Sequence, residues 1–224
     1  MKMKTLKILT FCLLTVAIVL SGCSKSDNTK KSDVLSQQIH NIVPDSIITK
    51  MKNLGMQING GTTPPDLQHI YYVDPFVLKS SNISYDTPGE TFAPYLVQFY
   101  GQDNTALSIK LNYINGNETG TGLGGFISGS DNSFSVFAKI RAEIDGDSAY
   151  VIEVLSGTIV TGAIKNFYYA NFMLDNYGNP NGSFIEQGEG RILYDSDGTS
   201  EEQSSFTSPG KKKSAVLLKS VSSK

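Results

Sequence analysis

From Leu67 onward apolar residues recur at every second position, with turn-forming residues at regular spacing. This pattern predicts antiparallel strands rather than alternating strands and helices. Eight segments fit it: Leu67–Val73, Phe92–Gly101, Ala106–Asn115, Gly122–Ser128, Ser133–Ile144, Ser148–Thr161, Ala163–Asp175 and Gly188–Asp195. Between the fifth and sixth lies Asp145-Gly146, a pair suited to the positive backbone angles of a two-residue hairpin turn. In the fifth strand Phe134, Val136, Ala138, Ile140 and Ala142 share one face, which marks that face as core. The sixth and seventh strands are apolar on both faces, so each must be covered on both sides. Before the strands, Pro44 and Asp45 suit a helix start, Ile47, Ile48, Met51 and Leu54 share a face, and Gly55 suits the stop, which predicts one short helix over 44–54.

A meander of this length without long crossovers can close on itself and so remove its exposed edges. The expected fold is all-β, an antiparallel up-and-down barrel of about eight strands, with a two-sheet sandwich as the alternative at the same strand spacing. In a closed barrel, one alternating set from the sixth and seventh strands would line the interior. Tyr150, Ile152, Val154, Tyr168, Ala170 and Phe172 are the candidate ligand-contacting residues on that reading. The short helix, the Gly60-Gly61-Thr62-Thr63-Pro64-Pro65 approach and the meander together resemble the calycin and lipocalin-like lipoproteins over roughly 44–195. That resemblance implies a small apolar ligand. The chain departs from the lipocalin Gly-x-Trp signature, with Gln68-His69-Ile70-Tyr71-Tyr72 at that place and no tryptophan anywhere.

The chain's first residues carry a different message. Lys2, Lys4 and Lys7 precede an apolar run from Ile8 to Leu20, which closes on Ser21-Gly22-Cys23. Positive charge, a short apolar segment and small residues make an export signal, and the run falls short of the about 20 residues that a membrane-spanning helix needs. The segment resembles the bacterial lipobox, which implies removal of residues 1–22 and lipidation of Cys23. Residues 23–36 are polar and read as a tether, residues 37–200 as a single domain, and residues 201–224, rich in Ser and Lys, as a tail. The expected location is the cell envelope of a Gram-negative bacterium, as an outer-membrane lipoprotein on its periplasmic face or at the cell surface.

Charge narrows the partners. Between Leu35 and Gly210 there are 8 Lys and Arg against 19 Asp and Glu, a balance that repels a phosphate backbone and excludes nucleic acid. The remaining cysteine, Cys12, lies in the signal segment, so stability must come from an apolar core rather than a disulfide. Gly120-Thr121-Gly122-Leu123-Gly124-Gly125 matches a phosphate-loop spacing but leads into no helical pattern, and reads instead as a bend or bulge in the sheet. Asp195 and Asp197 form a weak Ca²⁺ candidate, because the spacing lacks the carboxylates a hand-type loop requires at its ends. His40 and His69 are far apart in sequence, and Glu186 and Glu189 share a loop, so no catalytic constellation and no cofactor is expected. What remains is a non-enzymatic binding or assembly role, with a glycan- or protein-binding adhesin module as the alternative and a hydrolase behind it. Among eleven tyrosines, the adjacent pairs Tyr71-Tyr72 and Tyr168-Tyr169 each send one ring to either face of a strand.

Overall fold

A computed structural model describes residues 35–207 and 216–220. Cys23 and the rest of the signal and tether up to residue 34 lie outside the described residues, as do residues 208–215 and 221–224. Two helices come first, α1 (Gln37–Ile42) and α2 (Asp45–Asn53). The second is the one the apolar spacing predicts, with Ile48 and Met51 buried. The first corrects the expectation of a single helix: its six residues bury only Ile39, too little for a periodic signal.

Eleven strands follow, all in one sheet: β1 (Ile70–Val73), β2 (Phe76–Ser81), β3 (Thr91–Phe92), β4 (Tyr95–Asp103), β5 (Ser108–Asn115), β6 (Glu118–Ser130), β7 (Ser133–Ile144), β8 (Asp147–Val160), β9 (Ala163–Asp175), β10 (Gly190–Asp195) and β11 (Thr199–Gln203). Every pairing between these strands is antiparallel, and a single sheet replaces the two-sheet alternative. Strands β4 to β9 pair in sequence order. β1 pairs with β4 on one side and β11 on the other, and β11 also pairs with β9, so the path β1-β4-β5-β6-β7-β8-β9-β11 returns to its start. β10 pairs with β9 and β2, and β2 carries the short β3.

Three strands escape the alternation pattern. β2 follows β1 across the cis Asp74-Pro75 peptide, where a proline breaks the apparent run. β3 has two residues. β11 reads Thr-Ser-Glu-Glu-Gln, a polar stretch that looks like tail and is held extended by its ladders to β1 and β9. The glycine-rich stretch of β6 carries a bulge-type irregularity: its register with β7 slips between Gly122 and Gly124.

The β7–β8 hairpin turns at Asp145-Gly146 with φ of 51° and 93°, and its ladder runs unbroken from Ile144↔Asp147 to Ser133↔Thr158. A β-branched residue resists that backbone region. Gly146→Val should therefore lower stability by about 1–2 kcal/mol. Thermal melting checks this, and an unchanged melting temperature would contradict the turn geometry.

The sheet buries two apolar clusters on opposite faces. The larger joins Val97, Leu111, Ile127, Val136, Val151, Leu155, Tyr169 and Leu193 from β4 to β10, and we refer to its face as the inner one. The smaller packs Ile39, Val43, Ile48 and Met51 of the helical region against Phe137, Ile152, Val154, Ala170, Phe172 and Ile192. Below the helices, residues 57–62 cross the outer face, where the hydroxyls of Ser128 and Ser156 donate to the carbonyls of Asn59 and Gln57, and Ser135 Oγ accepts the Asn59 N–H. These hydrogen bonds account for three buried serines on strands that are otherwise apolar.

Candidate functional site

Alternation along β4, β5, β8 and β9 carries Tyr95, Tyr113, Glu153 and Tyr169 to the inner face, and Glu118 joins them from the start of β6. Glu153 occupies the inner position between Val151 and Leu155, both members of the inner core. All five side chains are buried. Tyr169 Oη donates to Glu153 Oε1 at 2.8 Å and Tyr95 Oη to Oε2 at 3.4 Å. Tyr113 Oη donates to Glu118 Oε1 at 2.6 Å, while the Leu218 N–H donates to Oε2 at 2.8 Å. Every carboxylate oxygen of the pair thus accepts a hydrogen bond.

Burial dominates the protonation of this cluster. It pushes Glu153 up to about 8, with the charge of Glu118 adding to the effect and the tyrosine hydroxyls opposing it. It likewise pushes Glu118 up to about 7, against the hydrogen bonds of Tyr113 and Leu218 and the charge of Arg191. The Tyr95, Tyr113 and Tyr169 phenols are driven well above their ordinary range by burial and by the neighbouring carboxylates, so all three stay neutral donors. The cluster therefore stores protons near neutral pH behind a wall of rings. Tyr95 has the ring centres of Tyr169, Tyr113, Phe76 and Phe167 at 5.1, 5.2, 5.4 and 6.2 Å, which is contact packing. Gly120 makes room for this stack, since a Cβ there would lie 2.0 Å from the Tyr113 ring.

Beside the cluster, Arg191 of β10 is buried and forms a two-pronged pair with Asp86, Nε to Oδ2 at 2.7 Å and Nη2 to Oδ1 at 2.9 Å. Its guanidinium also lies 5.3 Å from the centre of the Phe92 ring.

The six residues expected in the interior are elsewhere. Ile152, Val154, Ala170 and Phe172 belong to the outer cluster beneath the helices, and Tyr168 packs against it. Tyr150 lies 5.7 Å from Tyr177, with the Lys139 ammonium 5.0 Å from its ring centre. The inner set from these strands is instead Val151, Glu153, Leu155, Phe167, Tyr169 and Met173. Because both faces of β8 and β9 are apolar, alternation separates the two sets without saying which is inside. Glu153, the single charge in the run Val151 to Leu155, points the other way, since a glutamate ordinarily marks the wet face and here it is buried on the inner one.

The acidic turn at Asp195 and Asp197 uses its own oxygens. Asp195 Oδ2 accepts from the Ser200 hydroxyl at 2.7 Å, and Asp197 Oδ1 accepts the Thr199 N–H at 2.9 Å. Burial raises Asp195 to about 6. Among the described residues, no group of three or more His, Cys, Asp or Glu side chains is placed to hold a metal ion. His69 faces Glu202 at 3.0 Å and His40 faces Asp45 at 2.6 Å, so the two histidines serve separate surface pairs. Glu189 turns back to accept the Glu186 N–H at 2.8 Å, closing the loop.

On the outer face an aromatic surface opens to solvent. Tyr168 of β9 and Tyr194 of β10 stack with ring centres 6.2 Å apart and planes at 25°. The Lys79 ammonium of β2 sits 4.5 Å from the Tyr168 ring centre. With Leu78, Pro88 and Gly89 these residues line an open groove of about 410 Å³. Comparison with protein-family models, curated proteins and solved structures finds no match.

Proposed function

We propose that this protein is a lipid-anchored lipoprotein of the cell envelope, held in the outer membrane through Cys23, and that it binds its ligand on the outside of a closed, filled β-barrel. The returning path of strand pairings supports closure, through β1, β4 to β9 and β11. The observation that carries the reading is the ring stack around Tyr95, which occupies the space a carried ligand would need. Binding then falls to the Tyr168–Tyr194 groove, whose flat apolar rings carry hydroxyls at their rims and lie beside a cation, a surface suited to a glycan.

Two outcomes test this reading. Mass spectrometry of the mature N-terminus should find Cys23 acylated, and Cys23→Ser should move the protein to the soluble fraction. An unmodified Cys23 in the membrane fraction would contradict the anchor. On an array of envelope glycans, Tyr194→Ala should weaken binding by about tenfold or more, the scale of losing one stacked ring. Binding that ignores this substitution would place the ligand elsewhere.

A further inference from the structure

Residues 216–220 lie about 100 positions from β5 and β6 in sequence, yet Val216, Leu217 and Leu218 are buried in the inner core. No long ladder holds them there, and the segment's only strand-type contact among the described residues is an isolated bridge between Phe184 and Lys219. Instead, fully buried side chains bind its main chain. Asn115 Oδ1 accepts the Leu217 N–H at 2.9 Å, and Glu118 Oε2 accepts the Leu218 N–H at 2.8 Å. Arg191 Nη1 donates to the Leu217 carbonyl at 2.6 Å, and Asn171 Nδ2 reaches the same oxygen at 3.4 Å. The Ile185 N–H donates to the Leu218 carbonyl at 2.8 Å, Arg191 Nη1 also reaches the Lys219 carbonyl at 3.4 Å, and the Ser220 N–H donates to the Ser183 carbonyl at 3.3 Å.

Four buried polar side chains from β5, β6, β9 and β10 are thus spent on both amides and one carbonyl of two consecutive residues. Removing the segment would strand those groups in an apolar interior, at a cost far above that of leaving a surface groove empty. Leu217 and Leu218 form a turn, with the Lys219 N–H donating to the Val216 carbonyl at 3.3 Å, and main-chain hydrogen bonds beside apolar pockets are how proteins hold a peptide in a fixed conformation. We propose that this recess is a peptide-binding site occupied in cis by Val216–Leu218, and that it accepts a peptide that makes the same turn with two consecutive leucine-sized residues in their place. The recess lies on the inner side of the sheet, apart from the Tyr168–Tyr194 groove, and does not depend on it.

The test uses the full chain, with a protease recognition sequence in place of Lys211-Lys212-Lys213, purified in detergent and cut after folding. A fluorescent peptide spanning Ser214–Ser220 is then added in excess. One labelled peptide per chain should enter, with release of an equal amount of the chain's own fragment. A peptide carrying Leu218→Asp should compete at least a hundredfold less well, and Asn115→Ala in the body should weaken exchange by about tenfold. Retention of the original fragment without exchange would overturn the proposal. So would loss of cooperative melting on cutting, because the segment would then be an inseparable part of the fold. Should Asn115→Ala fail to fold, the Leu218→Asp peptide on the unaltered body gives the deciding result, and equal competition by that peptide overturns the proposal.

Discussion

Arg191→Met is expected to lower the free energy of unfolding by about 3–5 kcal/mol, the range for breaking a buried ion pair by removing one partner. The Arg191 and Asp86 side chains are each only 2% exposed, so neither charge can turn to water for help. Methionine fills much of the volume but leaves the Asp86 carboxylate without its two-pronged donor and the Leu217 carbonyl without its 2.6 Å bond. Lysine at this position would keep a charge but lose the planar fork, so Arg191→Lys should recover only part of the loss. Adding Asp86→Asn to Arg191→Met should restore part of the stability, since no unpaired charge then stays buried. Denaturant unfolding of the three variants measures this, and a loss below about 1 kcal/mol for Arg191→Met would contradict the assigned pairing.

The second large effect is on pH. Glu118 at about 7 and Glu153 at about 8 both lie above the 4.5 of an ordinary glutamate, so between those values the folded chain binds protons that the unfolded chain has lost. Their stabilising contribution is complete below about pH 4.5 and drains away as pH rises through 7 and 8. At about 1.4 kcal/mol for each tenfold change in proton affinity, the swing amounts to a few kcal/mol per carboxyl. The melting temperature should therefore fall from pH 5 to pH 9. Asp195, raised by burial to about 6, adds a smaller decline at the acidic end because its shift spans a narrower pH range. Glu153→Gln keeps a hydrogen-bonding group for Tyr169 and carries no charge. It should melt higher than the parent protein at pH 8, and the slope between pH 6 and 9 should flatten. A melting temperature that rises over that range would show that the carboxyls are not buried as described.

The elements that announced themselves in the sequence are those whose two faces differ. In β7 a run of inward Phe134, Val136, Ala138, Ile140 and Ala142 against outward Lys139, Arg141 and Glu143 fixes both strand and face, and Asp145-Gly146 fixes the turn. β8 and β9 gave the strands but not the faces, because the helices cover with Ile48 and Met51 what solvent covers elsewhere. β11 was silent, since Ser200 is buried by partners distant in sequence rather than by its own hydrophobicity. The buried cluster was hidden for the same reason. Tyr95, Tyr113, Glu118, Glu153 and Tyr169 span 75 positions of chain, and only the sheet register brings their polar ends together. A lone glutamate in Val151 to Leu155 was the one local trace of it.

The proposed barrel has an interior that is packed rather than hollow. Titrating the purified soluble chain, lacking residues 1–23, with a fatty-acid probe whose fluorescence rises in apolar surroundings tests that directly. The filled core around Tyr95 predicts a weak, non-saturating signal. Saturable one-to-one binding that Tyr194→Ala in the outer groove leaves intact would contradict it and make the protein a carrier.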